Sequence, residues 1–381
     1  MGVSSTVMTY DCFAIAAPGL EPLVARELDA LGISGNAVTG GVTFHATSEQ
    51  LYLANLWLRI ASRVIVRLAT FHAAEFHELE RHARRVPFER VIAPGAAVDV
   101  HVSCRKSRLY HSDAVAERIR RAMERRTGSV VAASDSGVLL IVRLSHDECT
   151  ISVDSSGALL HRRGYRLATA KAPLRETMAA ALLAGWDGGC ALVDPFCGSG
   201  TIAIEAALIA RHRAPGIARD FGFMRWPEFD GALWATVCSR AQASERFQGG
   251  TASIPIVAAD RDGGGTQAAR DNAERAGVGG DIDLRTQSIS ELEAPASSGW
   301  LVTNPPWGVR LGDEAKLRDL YARFGQVARR RLPGWQVRVL APEASRLKQI
   351  SQLPLAPSIR TANGGIPVAI LFGSVPKLTE L

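Results

Sequence analysis

Two stretches of this sequence carry residue types and spacings that could do chemistry. The first is Asp194-Pro195-Phe196-Cys197-Gly198-Ser199-Gly200-Thr201. A carboxylate closes the apolar run Ala191 to Val193, two glycines follow, and a helix-forming run, Thr201 to Ala210, opens behind them. Glycine reaches positive φ without strain and lets backbone come close to a ligand. The free N–H groups of a helix start can then meet a carboxylate or hydroxyl. Strand, glycine turn and helix in that order bind nucleotide-like cofactors at the carboxyl edge of a parallel sheet. No Gly-Lys-Ser/Thr follows, so no triphosphate is expected.

The second stretch is Leu301-Val302-Thr303-Asn304-Pro305-Pro306-Trp307-Gly308. Two prolines remove backbone donors and fix φ, which makes a stiff turn. Asn304 can then offer its amide oxygen, beside a Pro305 carbonyl that lacks an internal donor. Two adjacent acceptors with an indole beside them suit an exocyclic amine on a flat base, the ring stacking on Trp307. Read alone, the stretch is equally an ordinary strand-ending turn with a packing tryptophan. A carboxylate at the end of another apolar run, Asp260 after Val257-Ala258-Ala259, can take both hydroxyls of a ribose. Its competing reading is a helix cap, and Asp262 is the competing carboxylate.

Together the two stretches resemble the S-adenosylmethionine-dependent amino-methyltransferases that carry an (N/D)-P-P-(Y/F/W) motif. Leu160-His161-Arg162-Arg163-Gly164-Tyr165-Arg166 and Ala172-Pro173-Leu174-Arg175-Glu176-Thr177 further resemble the approach to the catalytic domain in bacterial rRNA guanine-N2 methyltransferases with an N-terminal THUMP domain. Arg213-Ala214-Pro215-Gly216, Phe221-Gly222-Phe223 and Trp226 resemble the insertion of the large-subunit (23S) enzymes in that group.

The resemblance implies an enzyme that uses S-adenosyl-L-methionine to methylate guanine N2, with 23S rRNA as substrate. It places catalysis on Asn304, Pro305, Pro306 and Trp307. Cofactor binding falls to Asp194 through Thr201, Asp260, Arg261 (over the adenine face), Ser288 and Asn304. The family's usual acidic contact to the adenine amine is missing, because Gln287-Ser288 stands in its place. A hydroxyl or backbone carbonyl is expected to substitute. Three alternatives remain: a tRNA guanine, adenine N6 in DNA, or an idle RNA-binding assembly factor.

The elements that must position these residues follow from periodicity. From Pro173 onward strands alternate with helices, which is the pattern of a doubly wound, Rossmann-like α/β domain. Strands are expected at 190–193, 254–259, 282–286, 300–303, 336–340 and 368–373, and helices at 265–276, 314–331 and 343–351. The stretch 211–253 is too long for a plain connection. With Phe221, Phe223, Trp226, Phe229 and Trp234 it is expected to hold its own helix and shape the substrate side of the pocket.

The N-terminal half reads as α+β. Residues 1–70 suggest a ferredoxin-like segment and 71–155 a THUMP-like RNA-binding domain, with 156–172 as linker and 173–381 as the catalytic domain. Ser48 is expected to cap a helix over 49–58, and Ser112 one through Arg126 with apolar stripe Val115, Ile119, Ala122 and Met123. Further helices are expected at 19–31 and 76–86. Strands are expected at 10–16, 42–45, 64–69, 97–104, 138–145 and 149–154.

The chain has 381 residues, 47% of them hydrophobic and 22% charged, with formal net charge +6, a composition typical of soluble globular proteins. Polyanion binding depends on local patches rather than on that total. Arg105, Lys106, Arg108, Arg118, Arg121, Arg125, Arg162 and Arg163 are the candidate RNA contacts, though arginine-rich helices are also ordinary solvated faces. No apolar run reaches the roughly 20 residues of a membrane span. Six cysteines without a C-x-x-C pair, and His72, His77 and His82 at a spacing that shares no helical face, argue against a disulfide framework and a metal site. A reducing, cytoplasmic setting without metal or membrane partners is expected.

Overall fold

Burial alternates residue by residue along Thr9–Ile15 and Val138–Ser145. By contrast Ala191–Asp194 and Ile256–Asp260 are almost wholly buried. The first pattern marks a sheet covered on one face, the second a parallel sheet covered on both. The computed structural model contains one sheet of each kind and describes residues 9–131, 137–166, 174–248, 250–308, 314–342 and 346–377.

In chain order the elements begin β1 (Thr9–Ile15), α1 (Glu21–Ala30), β2 (Gly35–Val38), β3 (Gly41–Thr47), α2 (Ser48–Trp57), β4 (Arg63–His72) and α3 (Phe76–Ala83). They continue β5 (Ala97–Arg105), α4 (Ser112–Thr127), β6 (Val130–Val131), β7 (Val138–Ser145), β8 (Glu148–Asp154), α5 (Glu176–Leu182), β9 (Ala191–Asp194), α6 (Thr201–Ala210) and α7 (Gly231–Ala243). The remainder are β10 (Ile256–Asp260), α8 (Gly263–Arg275), β11 (Ile282–Thr286), β12 (Gly299–Thr303), α9 (Glu314–Arg331), β13 (Gln336–Pro342), α10 (Leu347–Ser351), β14 (Ala356–Asn363) and β15 (Ile366–Ser374).

Two compact units result, one of residues 1–16, 24–160 and 219–239, the other of 17–23, 161–218 and 240–381. The first holds an eight-stranded sheet in the order β2-β3-β1-β4-β8-β7-β5-β6. β4 is its hinge strand: it pairs with β1 (Ile65 opposite Phe13) and with β8 (Ile65 opposite Asp154). β5 and β7 run parallel, joined through α4, whose Val115, Ile119, Ala122 and Met123 are all buried.

Residues 219–239 of the stretch between α6 and β10, which hold Phe221, Phe223, Trp226, Phe229 and Trp234, belong to this first unit. Phe223 stacks on Tyr52 at 4.5 Å between centroids, with Phe229 and Trp234 edge-on to the same ring. The rings are spent on a core. The expected helix is present as α7.

The second unit holds a seven-stranded sheet, β11-β10-β9-β12-β13-β15-β14, parallel except for β15 and β14. Val193 of β9 sits opposite Val257 on one side and Leu301 on the other. The chain runs outward from β9 to β11, then returns to β12 on the other side of β9. That reversal is the topological switch point, where ligands of open α/β sheets bind beyond the carboxyl ends of the strands.

Several local expectations shift. Thr47, not Ser48, caps α2, because Gln50 completes a capping box with it. Ser112 is the first residue of α4 rather than its cap. α3 ends at Ala83, short of Val86. Strands β2, β6 and β14 were not anticipated, and of the helix expected over 343–351, residues 343–345 lie outside the described ones.

Candidate active site

Both chemically interesting stretches begin where a central strand ends, at Asp194 of β9 and Thr303 of β12. Thr303 donates its hydroxyl to Asp194 Oδ1 over 2.7 Å, and the Phe196 amide donates to the same oxygen over 3.2 Å. Asp194 is buried, and burial pushes its carboxyl up to about 7 against the opposing pull of these two donors. The Cys197 thiol is likewise raised by burial, which leaves it protonated and unreactive.

The glycine turn is held from the other side by β10. The Cys197 amide donates to the Ala259 carbonyl over 2.9 Å, and the Gly198 amide to Asp260 Oδ2 over 3.0 Å. Asp260 Oδ1 accepts the Asp262 amide over 2.9 Å, and Asp262 itself caps α8. The helix-cap role therefore falls to Asp262, while each Asp260 oxygen keeps a second lone-pair direction for a ligand.

Gly200 has φ +82°, and a Cβ there would stand 2.9 Å from the Ala269 side chain. Gly198 has φ +49° and nothing within 4 Å of where a Cβ would stand. Gly200 thus packs the turn onto α8, whereas Gly198 leaves its outer side open to a ligand. Behind the turn, Asn272 donates to the Ser199 carbonyl over 3.1 Å and the Arg166 guanidinium reaches Thr201 Oγ1.

At the second stretch, Tyr321 of α9 donates its hydroxyl to the Pro306 carbonyl over 2.8 Å and braces the proline turn. Among the described residues no donor reaches Asn304 Oδ1, although that atom is buried, and Trp307 Nε1 is buried without a partner as well. A buried unpaired acceptor costs about 1–3 kcal/mol, so its persistence beside an open turn points to a ligand N–H.

The remaining sequence candidates separate. Pro195, Ser199 and Thr201 lie on the turn and helix start, and Arg261 is exposed after β10. The exposed Ser288 hydroxyl accepts the Glu291 amide in a capping box and keeps a second lone pair. Its neighbour Gln287 is the residue sequence reading passed over. Its amide N–H donates to the Asp260 carbonyl over 3.0 Å, and its side-chain Nε2 is buried without a partner among the described residues.

The basic candidates divide too. Arg163 is corrected: its guanidinium is buried against Glu205 Oε1 at 3.4 Å, with the Tyr165 hydroxyl 3.3 Å from the same oxygen. Arg118 is stacked over Phe76 at 3.8 Å and paired with Glu80 at 3.3 Å, so its charge is spent within the first unit. Arg121 pairs with Glu117. Arg105, Lys106, Arg108, Arg125 and Arg162 are exposed.

A topological switch point, two glycines, a strand-end carboxylate and an Asn-Pro-Pro-Trp turn make the frame of an S-adenosylmethionine-dependent methyltransferase. The open side of Gly198 and the orphaned Asn304 oxygen fit a bound cofactor with an amine substrate beside it. The chain belongs to the RMKL-like methyltransferase family, whose domain model matches residues 163–364. A model of the RlmL ferredoxin-like domain matches residues 11–65, and a THUMP domain model matches 73–154.

The chain is 35% identical over 97% of both chains to a Synechocystis protein named "Putative RNA methyltransferase". It is 38% identical to the "Ribosomal RNA large subunit methyltransferase K/L" of Syntrophotalea carbinolica, over 89% of this chain but only 50% of that protein. It therefore spans about half the length of the K/L relatives it matches. A solved structure titled "SMU.472, a putative methyltransferase complexed with SAH" is 28% identical and superposes with a TM-score of 0.86 over 97% of this chain and 98% of that one. Among the described residues no helix is long and apolar enough to cross a membrane.

Proposed function

We propose that this chain methylates the exocyclic N2 of a guanine in 23S rRNA, acting in the cytoplasm, with residues 71–155 contributing the main RNA contact. The observation that carries the reading is the orphaned Asn304 Oδ1 at the end of β12. The name of the K/L relatives supports the ribosomal substrate.

Bound S-adenosylmethionine supplies an electrophilic methyl group on a sulfonium sulfur. Asp194 and the 196–200 turn would hold its amino acid part and Asp260 its ribose, and the unpartnered Gln287 Nε2 would donate to an adenine ring nitrogen where the family's acidic contact is missing. Guanine N2 is a poor nucleophile because its lone pair is delocalised into the ring. Accepting hydrogen bonds from N2–H at Asn304 and the Pro305 carbonyl draws that pair out of conjugation and aims it. Positioning of this kind supplies roughly 7–11 kcal/mol in favourable cases. Trp307 stacks on the base once it has left its helix, worth ~1–3 kcal/mol. No strong general base is required, since the proton leaves to solvent after transfer.

Nucleoside mass spectrometry of rRNA and tRNA from cells with and without this gene tests the reading. Loss of N2-methylguanosine from 23S rRNA alone is the expected result. Loss from tRNA instead moves the target; unchanged rRNA and tRNA with loss of N6-methyladenine from DNA overturns the RNA assignment.

A further inference from the structure

The turn between β5 and α4 is built more rigidly than a solvent loop requires. Its Arg105 carbonyl accepts the His146 amide over 3.2 Å and the Ser107 hydroxyl over 3.1 Å. The Ser107 Oγ in turn accepts the Asp147 amide over 3.0 Å, and the Arg108 amide donates to Asp147 Oδ1 over 2.7 Å. Leu109 plugs into the core and the His111 carbonyl starts α4. The β5–α4 and β7–β8 turns are thereby one pre-ordered tip.

What this tip presents is unusual for a fastened turn. Tyr110 is 70% exposed, the most open large hydrophobic side chain among the described residues. Its ring lies 4.1 Å from the exposed His111 imidazole, centroid to centroid, tilted by 39°. Arg105, Lys106 and Arg108 are exposed on the same turn, and Lys106 adopts φ +48° to turn there. Beside the tip a groove of about 570 Å³ runs over the open sheet face, lined by Arg67, Arg143, Ser145, His146, Glu148 and Thr150 among others. Arg143 makes no side-chain bond to any described residue, whereas Arg67 faces Asp11 at 3.6 Å.

An exposed aromatic pair on a turn that carries three exposed cations has two uses: covering an apolar protein patch, or stacking a base whose phosphates the cations neutralise. The cations favour the second. Duplex RNA buries its base faces, so only an unpaired base can reach the ring. Because the tip is already ordered, binding forfeits little conformational freedom.

We propose that Tyr110 and His111 form a stacking platform for an unpaired RNA base, with Arg105, Lys106, Arg108 and Arg143 taking the adjoining phosphates. The proposal rests on the RNA-substrate reading and adds the feature recognised: a single-stranded segment rather than a helix. Stacking of this kind contributes roughly fivefold to a hundredfold in affinity per base.

The test compares intact protein with its Tyr110→Ala and Tyr110→Phe variants, binding fluorescent single-stranded and duplex RNA of equal length at several salt concentrations. The expected result is tighter binding of the single strand, at least fivefold loss in Tyr110→Ala, recovery in Tyr110→Phe, and an unchanged salt slope in both. Arg108→Gln should instead flatten the slope. Tyr110→Ala binding the single strand like wild type would overturn the platform while the RNA reading stands. Equal preference for duplex would also overturn it. No salt-dependent binding of either RNA by wild type would sink both, and the methylated-nucleoside profile then separates the catalytic reading from the binding one.

Discussion

Thr303 and Asp194 are neighbours across two parallel strands, and their 2.7 Å hydrogen bond ties the residue before Asn304 to the residue before Pro195. The cofactor turn and the amine-binding turn therefore share one fixed origin. Asn304 cannot shift along β12 without disturbing the carboxylate that opens the other turn.

That carboxylate makes cofactor affinity pH-dependent. With its carboxyl raised to about 7 by burial, Asp194 is protonated in the free protein below that pH. Pairing with a cationic amino group requires the ionised form, so SAH affinity should weaken about tenfold per unit as pH falls below about 7. Stability moves the opposite way. A raised carboxyl stabilises the fold fully below the unfolded value near 4, and that contribution is lost as pH rises through about 7. Calorimetric titration with SAH and thermal melts across this range check both slopes, and Asp194→Asn should flatten them.

The two glycines should fail differently. Gly200→Ala forces a side chain into φ +82° and against Ala269, and should destabilise the fold by ~1–3 kcal/mol. Gly198→Ala meets no protein atom and bears only the left-handed backbone cost of ~1–2 kcal/mol, so it should melt a few degrees below wild type yet bind SAH at least tenfold more weakly. Equal melting points with equal affinities would remove Gly198 from the cofactor site.

Asn304→Ala removes the acceptor and should reduce methyl transfer by a factor of a hundred or more, with SAH affinity changed less than threefold. Radiolabelled methyl transfer and direct SAH binding on the same preparation separate the two effects. Retained turnover would dismiss the amine-binding assignment.

Arg163 and Arg108 were grouped by sequence and should part experimentally. Arg163→Ala leaves Glu205 buried without its cation, and should cost ~3–5 kcal/mol with RNA affinity unchanged at temperatures where the fold persists. Arg108→Ala should leave the melt alone and lower the salt slope of RNA binding by about one.

Much of the second unit was legible because its residues obey simple periods. β11 and α9 fall where alternation and the 3.6-residue repeat put them, at Ile282–Thr286 and Glu314–Arg331. β14 escaped because an exposed edge strand, with a proline and few apolar residues, gives no such signal. The cap at Thr47 rather than Ser48 turned on Gln50, since either hydroxyl could serve locally. Around the two turns, the strand-end positions of Asp194, Asp260 and Asn304 were legible, whereas the burial of Gln287 Nε2 gave no signal in the sequence. Arg162 and Arg163 are adjacent in sequence. Only the acid on α6, far along the chain, decides which one turns inward.

The first unit takes its final piece from residues 219–239, which follow β9 and α6 in the chain. During synthesis, then, this unit cannot finish when its own eight strands have emerged. The rings that pack on Tyr52 are still about 70 to 80 residues from being made, roughly 3–16 s at ordinary elongation rates. For that interval Tyr52 waits uncovered on the nascent chain while the cofactor-binding strand and helix are translated. Slow codons between β8 and α7 would prolong the exposure, and a holdase at the ribosome exit would matter most there.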